Sequence, residues 1–87
     1  MSYKVILKPS VVKELKAIPK RDHRRITIAI ELLSENPFPN NARKIAGHTN
    51  DYRVRVGDWR IIYEVQNNKL IIFVLRIGHR KDVYRNL

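Results

Sequence analysis

The sequence predicts an α+β domain. Two N-terminal helices pack on one face of a small, mainly antiparallel β-sheet, in the order β-α-α-β-β-β with a short C-terminal helical turn. Three observations carry this. Apolar residues recur at helical spacing over 10–34, they alternate at the strand period over 52–77, and the dipeptides Gly57-Asp58 and Asn67-Asn68 punctuate the alternating part. Helices followed by a run of strands place the helices on one face of a meander.

Each element has a local cause. Tyr3–Leu7 ("YKVIL") is β-branched and aromatic and reads as a strand, broken by "KPS". Ser10 is the expected N-cap of a first helix through Ile18, with Val11, Leu15 and Ile18 on one stripe. Pro19 separates it from a second helix, Lys20–Ser34, because proline disfavours helical geometry in the residue before it. Ile26, Ala29, Ile30 and Leu33 form that helix's core-facing stripe, and "KRDHRR" is its solvated start. "ENPFPNN" stops it. The stretch 36–51 reads as loop, with "ARKIAGH" a short turn. Strands follow at Tyr52–Val56, Trp59–Gln66 and Lys69–Ile77, joined by two-residue turns whose residues suit positive φ.

The 87 residues set one domain over 1–87, with roughly 60–65% of the unfolded chain's surface buried on folding. The longest apolar run, Leu70–Leu75, has six residues, far short of the ~20 of a membrane span. "MSYKVILKP" lacks the pattern of a signal peptide, and the absence of cysteine suits a reducing cytoplasm. Lys and Arg total 18 against 8 Asp and Glu, a net charge of +10. That density favours a polyanionic partner: nucleic acid first, an acidic protein second, an anionic membrane surface third. The plainer account is a basic surface that serves solubility alone. His23, His48 and His79 lack metal-ligand spacing, so neither a metal nor another cofactor is expected. No phosphate-binding glycine loop and no Cys–His or Ser–His–Asp set is present.

The arginines of "DYRVRVGDWRIIYEV" carry the functional signal. With Gly57 and Asp58 as the turn, Val56 opposes Trp59, Arg55 opposes Arg60 and Arg53 opposes Ile62. Tyr52, Val54, Val56, Trp59, Ile61 and Tyr63 then form the floor for the helices, and the arginines face away. Opposed like charges on paired strands cost up to about 1 kcal/mol. A bound phosphate relieves that cost, and the guanidinium fork suits phosphate. The alternative is a solvated sheet face.

A regular Asn67-Asn68 turn pairs Ile71, Phe73 and Leu75 with Glu64, Ile62 and Arg60. It edges the cluster with apolar groups and leaves Ile62 and Phe73 exposed for a partner. Regular alternation puts Arg76 and Arg80 on the helix side, and a bend at Gly78 is needed to bring Arg80 to the cluster. The ring of Tyr84 can stack on a base or plug the core edge.

The segments "KIAG", "YRVRVGDWRIIYEV" and "IIFVLRIGHRKDVY", with the element order, resemble the RelE/ParE superfamily of type II toxin–antitoxin toxins, and the details favour its RelE branch. The resemblance implies a metal-independent endoribonuclease that cuts mRNA in the ribosomal A site. There the message's 2′-hydroxyl attacks the adjacent phosphate, and translation stops. It assigns the catalytic set to Arg53, Arg55, Arg60, Arg80 and Tyr84. Arg60 and Arg80 hold the scissile phosphate, and Tyr84 orients the nucleotide. RNA contacts fall to Lys44, Arg53, Arg55, Arg76 and Lys81. Family members often carry lysines where this chain has Arg53 and Arg55, and arginine does not deprotonate at working pH. Lys44 and His79 are therefore the candidate acid–base residues.

The resemblance also implies a RelB-like antitoxin from an adjacent gene, operator DNA reached only through that complex, a cytoplasmic location and no membrane. Two other functions compete: a ParE-like gyrase inhibitor, and a non-catalytic nucleic-acid-binding module.

Overall fold

The structure is a computed structural model that describes residues 2–79. Its elements are β1 (Lys4–Leu7), α1 (Pro9–Ala17), α2 (Lys20–Glu35), β2 (Ala42–Lys44), β3 (Asp51–Val56), β4 (Trp59–Gln66) and β5 (Ile71–His79). They form one five-stranded sheet in the order β1-β5-β4-β3-β2, parallel at β1–β5 and antiparallel elsewhere. The α1–α2 pair belongs to the long connection that such a parallel neighbour requires. The expected helical turn at the C-terminus falls outside the described residues.

α1 begins two residues earlier than expected. Pro9 occupies its first turn, where the missing N–H costs nothing, and Lys8 at the N-cap makes no side-chain cap, so Ser10 is not the cap. α2 starts directly after Pro19 and ends at Asn36, whose N–H donates to Leu32 O at 3.0 Å. Val11 of α1, Ile18 at its C-cap, and Ile26, Ile30 and Leu33 of α2 share one buried cluster with Val54, Ile61, Tyr63, Val65, Ile72, Val74 and Ile77. Tyr52, Val56 and Trp59 pack against it, so the face alternation expected for β3 and β4 holds.

The Tyr63 hydroxyl donates to Pro37 O at 2.7 Å inside the core and pins the loop after α2 to the sheet. Burial raises the Tyr63 phenol's pKa above its ordinary value, with Tyr52 adding to the rise. Tyr52 stacks on Tyr63 at 5.9 Å and meets Phe38 edge-on at 5.1 Å.

Two departures from expectation bear on function. "ARK" forms a strand, antiparallel to β3 at Ala42–Val54, Arg43–Arg53 and Lys44–Tyr52. Three residues carry no measurable period, so only the pairing reveals it. The β4–β5 connection is a four-residue turn, 67–70, rather than the two-residue Asn67-Asn68 turn, and Leu70 takes φ 54°. β5 therefore starts at Ile71, and Ile71 and Phe73 pair with Gln66 and Glu64. A bulge then intervenes: Tyr63 pairs with Val74 and Ile62 with Arg76, which leaves Leu75 as the extra residue. The bulge changes the parity of β5, so Arg76 and Gly78 share the face of Ile62 and Arg60, and Arg76 is not on the helix side.

Candidate nucleic-acid interface

The turn at Gly57-Asp58 fixes the site's register. Gly57 sits at φ +61°, the positive value demanded at the first central position of a II′ hairpin turn. Arg55 consequently lies opposite Arg60 and Arg53 opposite Ile62, as the alternation predicts. Pairing extends this into two rows on the face away from the helices: Arg43–Arg53–Ile62–Arg76, and Arg55–Arg60–Gly78. No lysine, histidine or acid stands in either row.

The guanidinium groups are partly oriented by main-chain oxygens. Arg55 Nε donates to Gly57 O at 2.9 Å, Arg60 Nη1 to Trp59 O at 3.2 Å, and Arg43 Nη1 to Asn40 O at 2.7 Å. Asn41 Nδ2 donates to Arg55 O at 3.1 Å and ties the loop before β2 to this end of the sheet. Arg76 turns toward α1, with Nε 3.9 Å from Glu14 Oε2. Glu14 Oε1 also accepts the Ile77 N–H at 3.2 Å, at a stretch of β5 beyond the end of its pairing with β1.

The same face carries opposite charge at its other end. Asp51 is paired in register with Glu64, and His48 Nδ1 lies 3.3 Å from Asp51 Oδ2. Burial raises the Asp51 carboxyl's pKa above its usual value and the Glu64 charge adds to the rise, while His48 opposes it. An anion approaching this face thus meets cations at the turn end and acids at the far end, a gradient that orients a polyanion.

Several expected site residues lie elsewhere. Lys44 pairs with Tyr52 on the helix side of the sheet edge, away from the arginine rows. His79 pairs with Trp59, edge-on at 5.8 Å, also on the helix side. Neither candidate acid–base residue joins the cluster. Ile62, expected to be exposed, is fully buried, and Phe73 is half-buried. Ile62 occupies a central strand between two arginines, whose aliphatic stems suit an apolar neighbour while their charged ends reach water. Arg80, Lys81 and Tyr84 lie outside the described residues. Arg43 was missed by sequence reasoning because its strand was missed; its only sequence signal is its place among the basic residues before the hairpin. Among the described residues no cluster of His, Asp or Glu is arranged to hold a metal ion.

Comparison with known proteins matches this arrangement to a family. Residues 5–84 match the family described as the ParE toxin of the type II toxin–antitoxin system, parDE. The chain is 41% identical over 85 residues to toxin RelE3 of Methanocaldococcus jannaschii, covering 93% of this chain and 94% of that one. It is 32% identical over 89 residues to putative toxin RelE1 of the same organism, covering 99% of each. The crystal structure of the archaeal RelE–RelB complex from Pyrococcus horikoshii contains a chain 32% identical to this one, with a TM-score of 0.84 over 95% of this chain and 100% of that one. The chain belongs to the RelE/ParE superfamily of type II toxins. Its relatives place it with the RelE-family toxins, and the two-helix, five-stranded architecture is theirs.

Proposed function

We propose that this toxin is a metal-independent endoribonuclease that cuts mRNA in the ribosomal A site and so stops translation. The observation that carries the proposal is the pair of arginine rows, with Arg55 set against Arg60 and no acid among them. Sheet stability gives no motive for that arrangement, whereas a phosphate does.

In the proposed reaction the 2′-oxygen of one nucleotide bonds to the adjacent phosphorus as the P–O5′ bond breaks. The products are a 2′,3′-cyclic phosphate and a 5′-hydroxyl. Arg60 stabilises charge building on the phosphoryl oxygens, Arg53 and Arg55 grip the flanking backbone, and Arg80 and Tyr84 complete the site on the strength of the family resemblance. Lys44 and His79 stand off the arginine face, so neither serves as base from its place in the sheet. The 2′ proton leaves to water or to a ribosomal group, the departing 5′ oxygen takes up a proton from the same sources, and the rate comes from alignment and charge.

The proposed partners are the ribosome, its message and a RelB-like antitoxin, all cytoplasmic. The Pyrococcus horikoshii relative is in complex with RelB. A charge of +10 attracts an acidic antitoxin segment. Exposed Ile28 and Leu32 on α2, the latter lining an apolar groove of about 330 Å³ against β3, offer it contacts in place of Ile62.

The test is to map mRNA ends in a translation extract with wild type and Arg60→Ala, beside a gyrase supercoiling assay. Discrete cuts in ribosome-bound message that vanish in Arg60→Ala are expected, with supercoiling unaffected. Inhibition of supercoiling without cuts, or full cutting by Arg60→Ala, overturns the proposal. Binding to RNA with no cut product leaves only a non-catalytic module.

A further inference from the structure

The arginine rows do not use every cation near the turn. Where the first turns of α2 face the β3–β4 turn, a cleft of about 310 Å³ opens, lined among others by Arg21, Arg25, Arg55, Trp59 and His79. We infer that this cleft is a nucleotide subsite. It takes one nucleotide of single-stranded RNA immediately beside the strand held on the arginine face. The inference rests on RNA being the substrate.

Its volume lies at the low end of the roughly 300–1,000 Å³ typical of ligand pockets, a size for one nucleotide rather than a length of strand. Its chemistry is that of a nucleotide, with rings beside cations. The rings are cross-strand neighbours, half-buried Trp59 and exposed His79. Asp22 Oδ2 accepts the Trp59 Nε1–H at 3.1 Å, which fixes the indole before any ligand arrives and lowers the ordering cost of stacking.

Two of the three guanidinium groups lie against the turn, and one is bonded to it. Arg55 Nε is bonded to Gly57 O at 2.9 Å. The Arg25 guanidinium lies over Gly57 so closely that a Cβ there would meet its Nη1 at 3.2 Å. Gly57 supplies the positive φ of the turn, and a Cβ there would press on the Arg25 guanidinium. Arg21 and Arg25, four residues apart, reach the cleft from one side of α2. Two acids also line it, Asp22, which is engaged by Trp59, and Asp58 in the turn. Three arginines exceed them even with His79 neutral.

Arg55 belongs to both places. It stands in the row with Arg60 and also lines the cleft. A strand with its phosphate on that row has its next nucleotide at the cleft mouth, where the base meets the rings and the phosphate meets Arg25.

Trp59 is the single tryptophan of the chain, so its emission reports on the cleft. The experiment titrates the full chain with a 2′-O-methyl RNA trinucleotide, with adenosine 5′-monophosphate and with inorganic phosphate. A saturable change is expected with the first two and not with phosphate at equal concentration. Arg25→Ala, and independently Arg21→Ala, should weaken the monophosphate response by about tenfold, the loss of one charge-assisted contact, with unchanged circular dichroism. Arg60→Ala should weaken the trinucleotide response and spare that of the monophosphate.

No saturable change, an equal response to inorganic phosphate, or indifference to both α2 substitutions overturns the subsite. Message cutting with no tryptophan response sinks the subsite and leaves RNA cleavage standing. A monophosphate response without cutting does the reverse.

Discussion

Arg55 lies directly opposite Arg60 on neighbouring antiparallel strands, and the next residue in that row is Gly78. Two permanent cations face each other without an acid in the row. Arg60→Gln should therefore raise stability by roughly 0.2–1 kcal/mol at low salt, a gain that shrinks as salt screens the pair, while message cutting is lost. Urea unfolding at two ionic strengths, beside end mapping, checks both halves. A destabilised Arg60→Gln would show that the pair is held by contacts rather than tolerated for a ligand.

Ile62 has no exposed surface although it shares a row with Arg53 and Arg76. Ile62→Ala should cost about 2–4 kcal/mol, as for a core side chain. A loss under 0.5 kcal/mol in urea unfolding, the range of surface substitutions, would return it to the role of an exposed contact.

Glu14 couples α1 to β5 through the Ile77 N–H and Arg76. Glu14→Ala should cost about 1–2 kcal/mol by leaving that N–H unpaired. Amide exchange at Ile77 should accelerate more than at Ile72 in the parallel-paired half of β5. Equal acceleration at both would mean that the substitution acts globally rather than at the strand edge.

The Tyr63 hydroxyl and Pro37 O form the buried bond that anchors the loop after α2. Tyr63→Phe leaves a buried carbonyl without its donor and should cost about 1–3 kcal/mol, read from thermal or urea midpoints. Burial also disfavours the phenolate, so no titration of Tyr63 is expected in absorbance up to pH 11.

Asp51 has a folded-state pKa raised above its ordinary value of 3.8, first by burial and then by the Glu64 charge. The folded chain then holds this proton at pH values where the unfolded chain has lost it. Its contribution to stability is accordingly greatest below 3.8 and falls as pH rises through the folded-state pKa. Asp51→Asn removes that dependence, so the variant should gain on wild type as pH climbs from 3 to 6. Paired urea titrations that show a constant or shrinking difference would contradict the assignment.

What the sequence determined is what neighbouring residues decide among themselves. The helical stripe of Ile26, Ile30 and Leu33, the alternation of β3 and β4, and a Gly57-Asp58 turn that allows one register are all local. Together they set Arg55 against Arg60 before any third strand is considered. The tertiary structure decided the rest. The pairing of "ARK" with β3 brought Arg43 beside Arg53 and carried Lys44 to the other side. The four-residue turn moved the β4–β5 pairing by two residues, which keeps the faces, and the bulge at Ile62/Tyr63 then reset the parity of β5 and moved Arg76 to the arginine face. The cleft at Trp59 needs α2 and the β3–β4 turn together, and Asp22 and Trp59 are 37 positions apart. The physical reason is the two-residue period of a strand. A slip of one residue exchanges its faces, and in β5 that slip is settled by packing against residues remote in sequence, not by the strand's own pattern.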